Sequence, residues 1–195
     1  MSPQFTLFLV SHLDNATKEQ YGFDVARMEA LSDHVTGLFR QVRSLSGKSF
    51  STTVIWDPTS GEVDRYWREN AGIVHVSLNN GSRSIVRRAN GPTPPNNAQG
   101  FTAQTPKGVV AEVYIEGGNT LNGMGHRIFH ELMHFKLDVG QGVVTSQNGI
   151  HDAGGGAGLA TGNPLRGTET LTTINASLMG GHLLDNIKMA KTGLL

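Results

Sequence analysis

Hydrophobic positions fall into two patterns along the chain. Between residues 18 and 45, Tyr21, Val25, Met28, Leu31, Val35, Leu38, Phe39 and Val42 recur mostly at spacings of three or four. That period puts them on one stripe of a long helix, with Gly47 as its stop. Elsewhere the apolar residues come in short runs closed by turn residues. The run 5–10 reads as a strand or a buried arm. The run 51–56 is closed by Asp57-Pro58-Thr59-Ser60-Gly61, the run 73–78 by Asn79-Asn80-Gly81, and the run 109–116 by Gly117-Gly118-Asn119. These read as strands. Residues 89–100, rich in Pro, Asn and Gly, read as a loop. A second helix is expected over 122–139. A last one is expected over 168–191, with Leu171, Ile174, Leu178 and Ile187 on one face. The pattern predicts an α+β domain spanning 1–195, with a small, mostly antiparallel sheet packed on the long helix.

Composition narrows the function. A chain of 195 residues suits one domain. Sixteen basic and sixteen acidic side chains cancel, so nothing in the net charge favours nucleic acid or an anionic membrane. No stretch approaches the ~20 apolar residues that span a bilayer. The run 5–10 has no preceding Lys or Arg and no small-residue cleavage site, so it makes a poor signal peptide. The absence of Cys excludes a disulfide scaffold, a thiolate zinc finger and a cysteine nucleophile. Glycine is in excess, with 25 in the chain and twelve after Val139.

One motif carries chemistry. His130-Glu131-Leu132-Met133-His134 is an HExxH sequence inside the second expected helix. Residues four apart on a helix differ by about 40° in direction. Both imidazoles therefore leave one face and can occupy two corners of a zinc tetrahedron. Glu131, beside the first ligand, can reach a zinc-bound water without binding the metal. Zinc acidifies that water and Glu131 accepts its proton, which prepares hydrolysis of a peptide bond.

With this motif, its helix and the strand before it, the chain resembles the zincin metallopeptidases. The resemblance implies a zincin-like single domain, with the strand 109–116 lying along the cleft as an edge for an extended peptide. Within that superfamily the format is similar to metallopeptidase toxin domains delivered by bacterial secretion systems. That likeness implies a secreted effector exported without a leader, with an immunity or secretion-apparatus protein as partner. A cell-wall peptide amidase or endopeptidase, and a non-catalytic zinc-containing binding domain, are the alternative readings.

A catalytic zinc needs a third protein ligand. The metzincin pattern fails, because Leu137 and Gly140 stand where its Gly and His would be. His151 is the first choice, since it follows the turn Ser146-Gln147-Asn148-Gly149 and precedes a glycine run. Asp152 is an alternate, or a second partner for a ligating imidazole. Glu169 is the other alternate, at the start of the last helix as in the gluzincin layout. The glycines over 140–167 are read as an active-site loop. His126, His182 and Tyr114 are lesser candidates for contacting substrate or the oxyanion. Their ordinary readings are an exposed histidine, a half-buried histidine and a packed tyrosine. Asp138 reads as an exposed helix-end residue and Met179 as core. Arg83, Arg87 and Arg88 read as a solvated strand or loop face.

Overall fold

The structure is a computed structural model that describes residues 4–44, 47–67, 70–79, 83–116, 120–135, 179–181 and 183. Its centre is a five-stranded sheet. The strands are β1 (Gln4–Ser11), β2 (Ser51–Trp56), β3 (Ala71–Ser77), β4 (Gly100–Thr105) and β5 (Gly108–Tyr114). Their order across the sheet is β2-β1-β3-β5-β4. Among these described strands, the contacts β1–β2, β1–β3 and β3–β5 are parallel and β4–β5 is antiparallel. The fold is therefore mixed α and β, but the expected mostly antiparallel sheet is instead mostly parallel.

The reason lies in the burial of the strands. Every residue of β3 and β5 is buried, as are Phe5 to Val10 of β1. A parallel sheet is covered on both faces, so its strands carry apolar residues without alternation. On one face, Phe5, Leu7, Val109, Ala111 and Val113 pack in a core with Leu31, Val35, Phe39, Phe129 and Leu132. Rings connect the layers there: Phe5 and Phe39 lie 5.3 Å apart, and Phe39 and Phe129 4.9 Å. On the other face, Ile85, Val86 and Ala89 cover Ala103 and Val110, and Tyr66 meets Phe8 edge-on at 6.3 Å.

Parallel neighbours need crossover connections, and these are helical. Between β1 and β2 run α1 (Asn15–Gln20) and α2 (Val25–Phe39). The single helix expected over 18–45 is thus two. Gly22 takes φ +58° after α1, and Asp24 then caps α2 by accepting the Arg27 amide at 2.8 Å. The second helix ends at Phe39, well before Gly47.

Two further helices, α3 (Ser60–Trp67) and α4 (Ile85–Arg88), occupy stretches read as a turn and as a strand or loop face. Thr59 and Glu62 start α3 with a reciprocal pair of bonds: the Glu62 amide donates to Thr59 Oγ1 at 3.2 Å, and the Thr59 amide to Glu62 Oε2 at 2.8 Å. β4 falls on the end of the expected loop 89–100 and beyond it. The motif helix is α5 (Leu121–Met133), capped by Thr120, whose Oγ1 accepts the Gly123 amide at 3.0 Å; residues 179–181, within the last expected helix, are also helical. Among the described residues, no helix is long and apolar enough to cross a membrane.

Candidate active site

The fold brings α5 across the end of the sheet that carries β4 and β5. Residues Gly123 to Met133 are all buried, so the motif helix is a core element. Two glycines make its close packing possible. A Cβ at Gly125 would meet His34 Cδ2 of α2 at 2.5 Å. On β3, a Cβ at Gly72 would meet Leu132 Cδ1 at 2.9 Å and Phe5 Cζ at 3.0 Å. The missing side chains let α5 lie directly on α2 and on the sheet.

On the face of α5 away from Leu132, the two motif histidines converge. Their Nε2 atoms are 2.9 Å apart, with ring centroids at 4.5 Å and planes at 86°. His130 is buried and His134 half-buried. Two imidazole nitrogens aimed at one point from successive turns fit a shared zinc ion. Among the described residues no third His, Asp or Glu completes a metal cluster. His151, Asp152 and Glu169, the third-ligand candidates, lie outside the described residues. So do Asp138, His182 and the glycine-rich stretch 140–167.

Glu131, 6% exposed, leans toward the edge strand. Thr102 Oγ1 of β4 is 2.6 Å from its Oε2 and 3.1 Å from its backbone carbonyl oxygen. A Cβ on Gly100 would stand 2.5 Å from Oε1 and 2.8 Å from Cγ. Gly100 is thus the floor on which the carboxylate rests. Burial pushes the Glu131 carboxyl above the ordinary carboxylate range. His134, the Thr102 hydroxyl and Arg127 favour its charged form against that, and Glu112 disfavours it.

The expected edge strand requires correction. Residues 109–116 are not an edge, because β5 lies between β3 and β4. At this end of the sheet the edge is β4, whose outer side pairs with no other strand among the described residues. Its ladder phase follows from one bond: the Tyr114 amide donates to the Gln99 carbonyl at 2.9 Å. In antiparallel pairing this alternates, so Gly100, Thr102 and Gln104 turn their N–H and C=O groups outward. The residues that hold Glu131 are also those that present backbone to the open edge.

Tyr114 does not face this site. It is 1% exposed, and its hydroxyl donates to Glu112 Oε1 at 2.5 Å. Glu112 also takes the Ser84 hydroxyl at 2.6 Å and the Ile85 amide at 2.7 Å, at the start of α4. His126 is not an exposed histidine, as it is 2% exposed with Nδ1 2.8 Å from His34 Nε2. Met179 is fully buried in the main core, as expected. Arg87 and Arg88 are exposed on α4, and Arg83 lies 3.8 Å from Asp14.

Three residues of the site carry no motif signal: Gly100, Thr102 and Arg127. Arg127 was legible from spacing, since it lies four before Glu131 on one helix face. It is 3% exposed, yet among the described residues neither Nη1 nor Nη2 has a hydrogen-bond partner. Burial holds its pKa below the usual range, at about 10, against the pull of Glu131. It stays charged at neutral pH. No family model matches the chain, and no curated protein matches it.

Proposed function

We propose that the protein is a zinc-dependent peptidase whose cleft lies between the motif face of α5 and the edge of β4 that no described strand pairs with. The observation that carries this is the 2.9 Å approach of His130 Nε2 and His134 Nε2 beside a buried Glu131 held by that edge. His130 and His134 would hold the metal, with His151, Asp152 and Glu169 as candidates for the third position. Bound zinc supplies Lewis acidity toward a carbonyl and acidifies water.

The chain's own residues supply the rest. The outward N–H and C=O groups of Gly100, Thr102 and Gln104 can pair with an extended peptide as an added strand. That pairing sets the peptide backbone beside Glu131. Thr102 and Gly100 fix the orientation of the carboxylate. Glu131 takes a proton from the attacking water as its oxygen adds to the carbonyl carbon. As the C–N bond breaks, the same carboxyl returns that proton to the departing amine nitrogen.

Glu131→Gln tests the reading. The variant should retain zinc at the wild-type stoichiometry by mass spectrometry. Its kcat/KM on a peptide panel should fall by about 10²–10⁴. Retained activity would remove Glu131 from the chemistry. Cleavage of muropeptides but not of proteins would move the substrate to the cell wall. An effector role predicts host-cell toxicity that disappears with Glu131→Ala.

A further inference from the structure

Arg127 has no proton-transfer step in the hydrolytic scheme, yet it is a charged group inside the protein with nothing among the described residues bonded to its two terminal nitrogens. A buried cation is costly unless a partner compensates it. Its position indicates what the partner would be. On a helix, residues 127, 131 and 134 share one face, with Arg127 one turn, about 6 Å, ahead of Glu131. Other directions around α5 are taken: Ile128, Phe129 and Leu132 enter the core, and His126 meets His34. Glu131 acts on Arg127 electrostatically, but its hydrogen bond is to Thr102. The guanidinium is therefore left beside Glu131, with Nη1 and Nη2 buried and unbonded among the described residues, at the inner end of the cleft proposed above.

We propose that Arg127 recognises a carboxylate of the substrate, so that the protein selects peptides bearing an acidic side chain or a free C-terminus beside the scissile bond. A guanidinium suits this because its planar fork binds carboxylate through two parallel hydrogen bonds. The inference rests on the peptidase reading and deepens it.

The test uses full-length, zinc-loaded protein and matched peptides. One pair differs by Asp against Asn next to the cleaved bond, and the other by a C-terminal acid against its amide. These arms separate a side-chain carboxylate from a terminal one. At least one acidic member should be favoured in kcat/KM by about tenfold to a hundredfold, the range of a charged hydrogen bond. Arg127→Gln should erase the preference, read as the ratio of kcat/KM between the acidic and neutral members of each pair, while its zinc content persists. Arg127→Lys keeps the charge but not the fork, and should show a reduced preference. This second variant decides the matter if Arg127→Gln fails to fold.

In parallel, the same peptides are titrated calorimetrically into Glu131→Gln, which needs no turnover. Selective binding of acidic peptides without cleavage by the wild type would end the peptidase reading and leave the carboxylate site standing. Cleavage with no acidic preference would overturn the role given to Arg127. So would a preference that survives in both Arg127 variants.

Discussion

A single absent methyl group governs the centre of the site. The Cβ of any residue other than glycine at position 100 would overlap Glu131 Oε1, at 2.5 Å. Gly100→Ala must then displace either the edge strand or the carboxylate. A shift of about 1 Å in a catalytic group costs on the order of 10²-fold in rate. If the proposed peptidase reading holds, the expected outcome is a kcat/KM lowered by about that factor, with zinc content and the unfolding midpoint near wild type. Steady-state kinetics beside metal analysis checks it. At this scale the sequence was partly legible. His130, Glu131 and His134 follow from their spacing alone, because helix geometry puts them together. Gly100 and Thr102 do not, because they reach Glu131 through the fold, from a strand about thirty residues away. Gly100 also ends a run of turn-forming residues that reads as loop.

Among the elements, α5 carries the motif on one side and the core on the other. Leu132 is fully buried and packs over Gly72 and Phe5, between His130 and His134 in sequence. Leu132→Ala leaves a cavity beneath the motif and should cost about 2–5 kcal/mol. Urea unfolding with an unchanged m-value would show it. Strand position was legible from the apolar runs and their closing turn residues, even in β2, found at 51–56 as expected although none of its residues is fully buried. Strand direction was also written in the sequence, as unbroken apolar runs such as Phe5 to Val10 with Thr6 as the exception. Such runs indicate a doubly covered, parallel sheet. Thr59 and Glu62 likewise announced α3 by their three-residue spacing. β4 gave no comparable signal: it is an edge of mixed character, with Phe101 and Ala103 facing α4 and Thr102 facing α5.

For the whole molecule, the histidines make stability depend on acidity. His75 Nδ1 of β3 lies 2.9 Å from His12 Nε2. Burial lowers His75 from 6.5 to about 3 and His12 to about 4, with each further lowered by Arg88; Asp57 opposes this at His12. The unfolded chain takes up these protons below about pH 6.5, whereas the folded pair stays neutral. Stability from this pair is therefore level above pH 7 and declines as pH falls from about 6.5 toward 4. Glu112 and Glu131, raised by burial, act in the opposite sense. His75→Gln isolates the histidine contribution, and its urea midpoint should fall less between pH 7 and pH 5 than that of the wild type. An equal fall would assign the acid sensitivity elsewhere.

Phe135 and Met179 are both fully buried in the main core, and a Cβ at Gly180 would overlap the Arg43 carbonyl oxygen. The chain between these two anchors contains every candidate for a third zinc ligand. Core packing thus holds the chain on either side of these candidates, at Phe135 and at Met179. A donor carried on a tethered segment meets its site at an effective concentration that can reach millimolar. On the zinc reading proposed above, a third ligand from this stretch would meet the imidazole pair at such a concentration. What distinguishes His151, Asp152 and Glu169 from a free imidazole or carboxylate in solution is that both ends of their segment are already fastened to the fold.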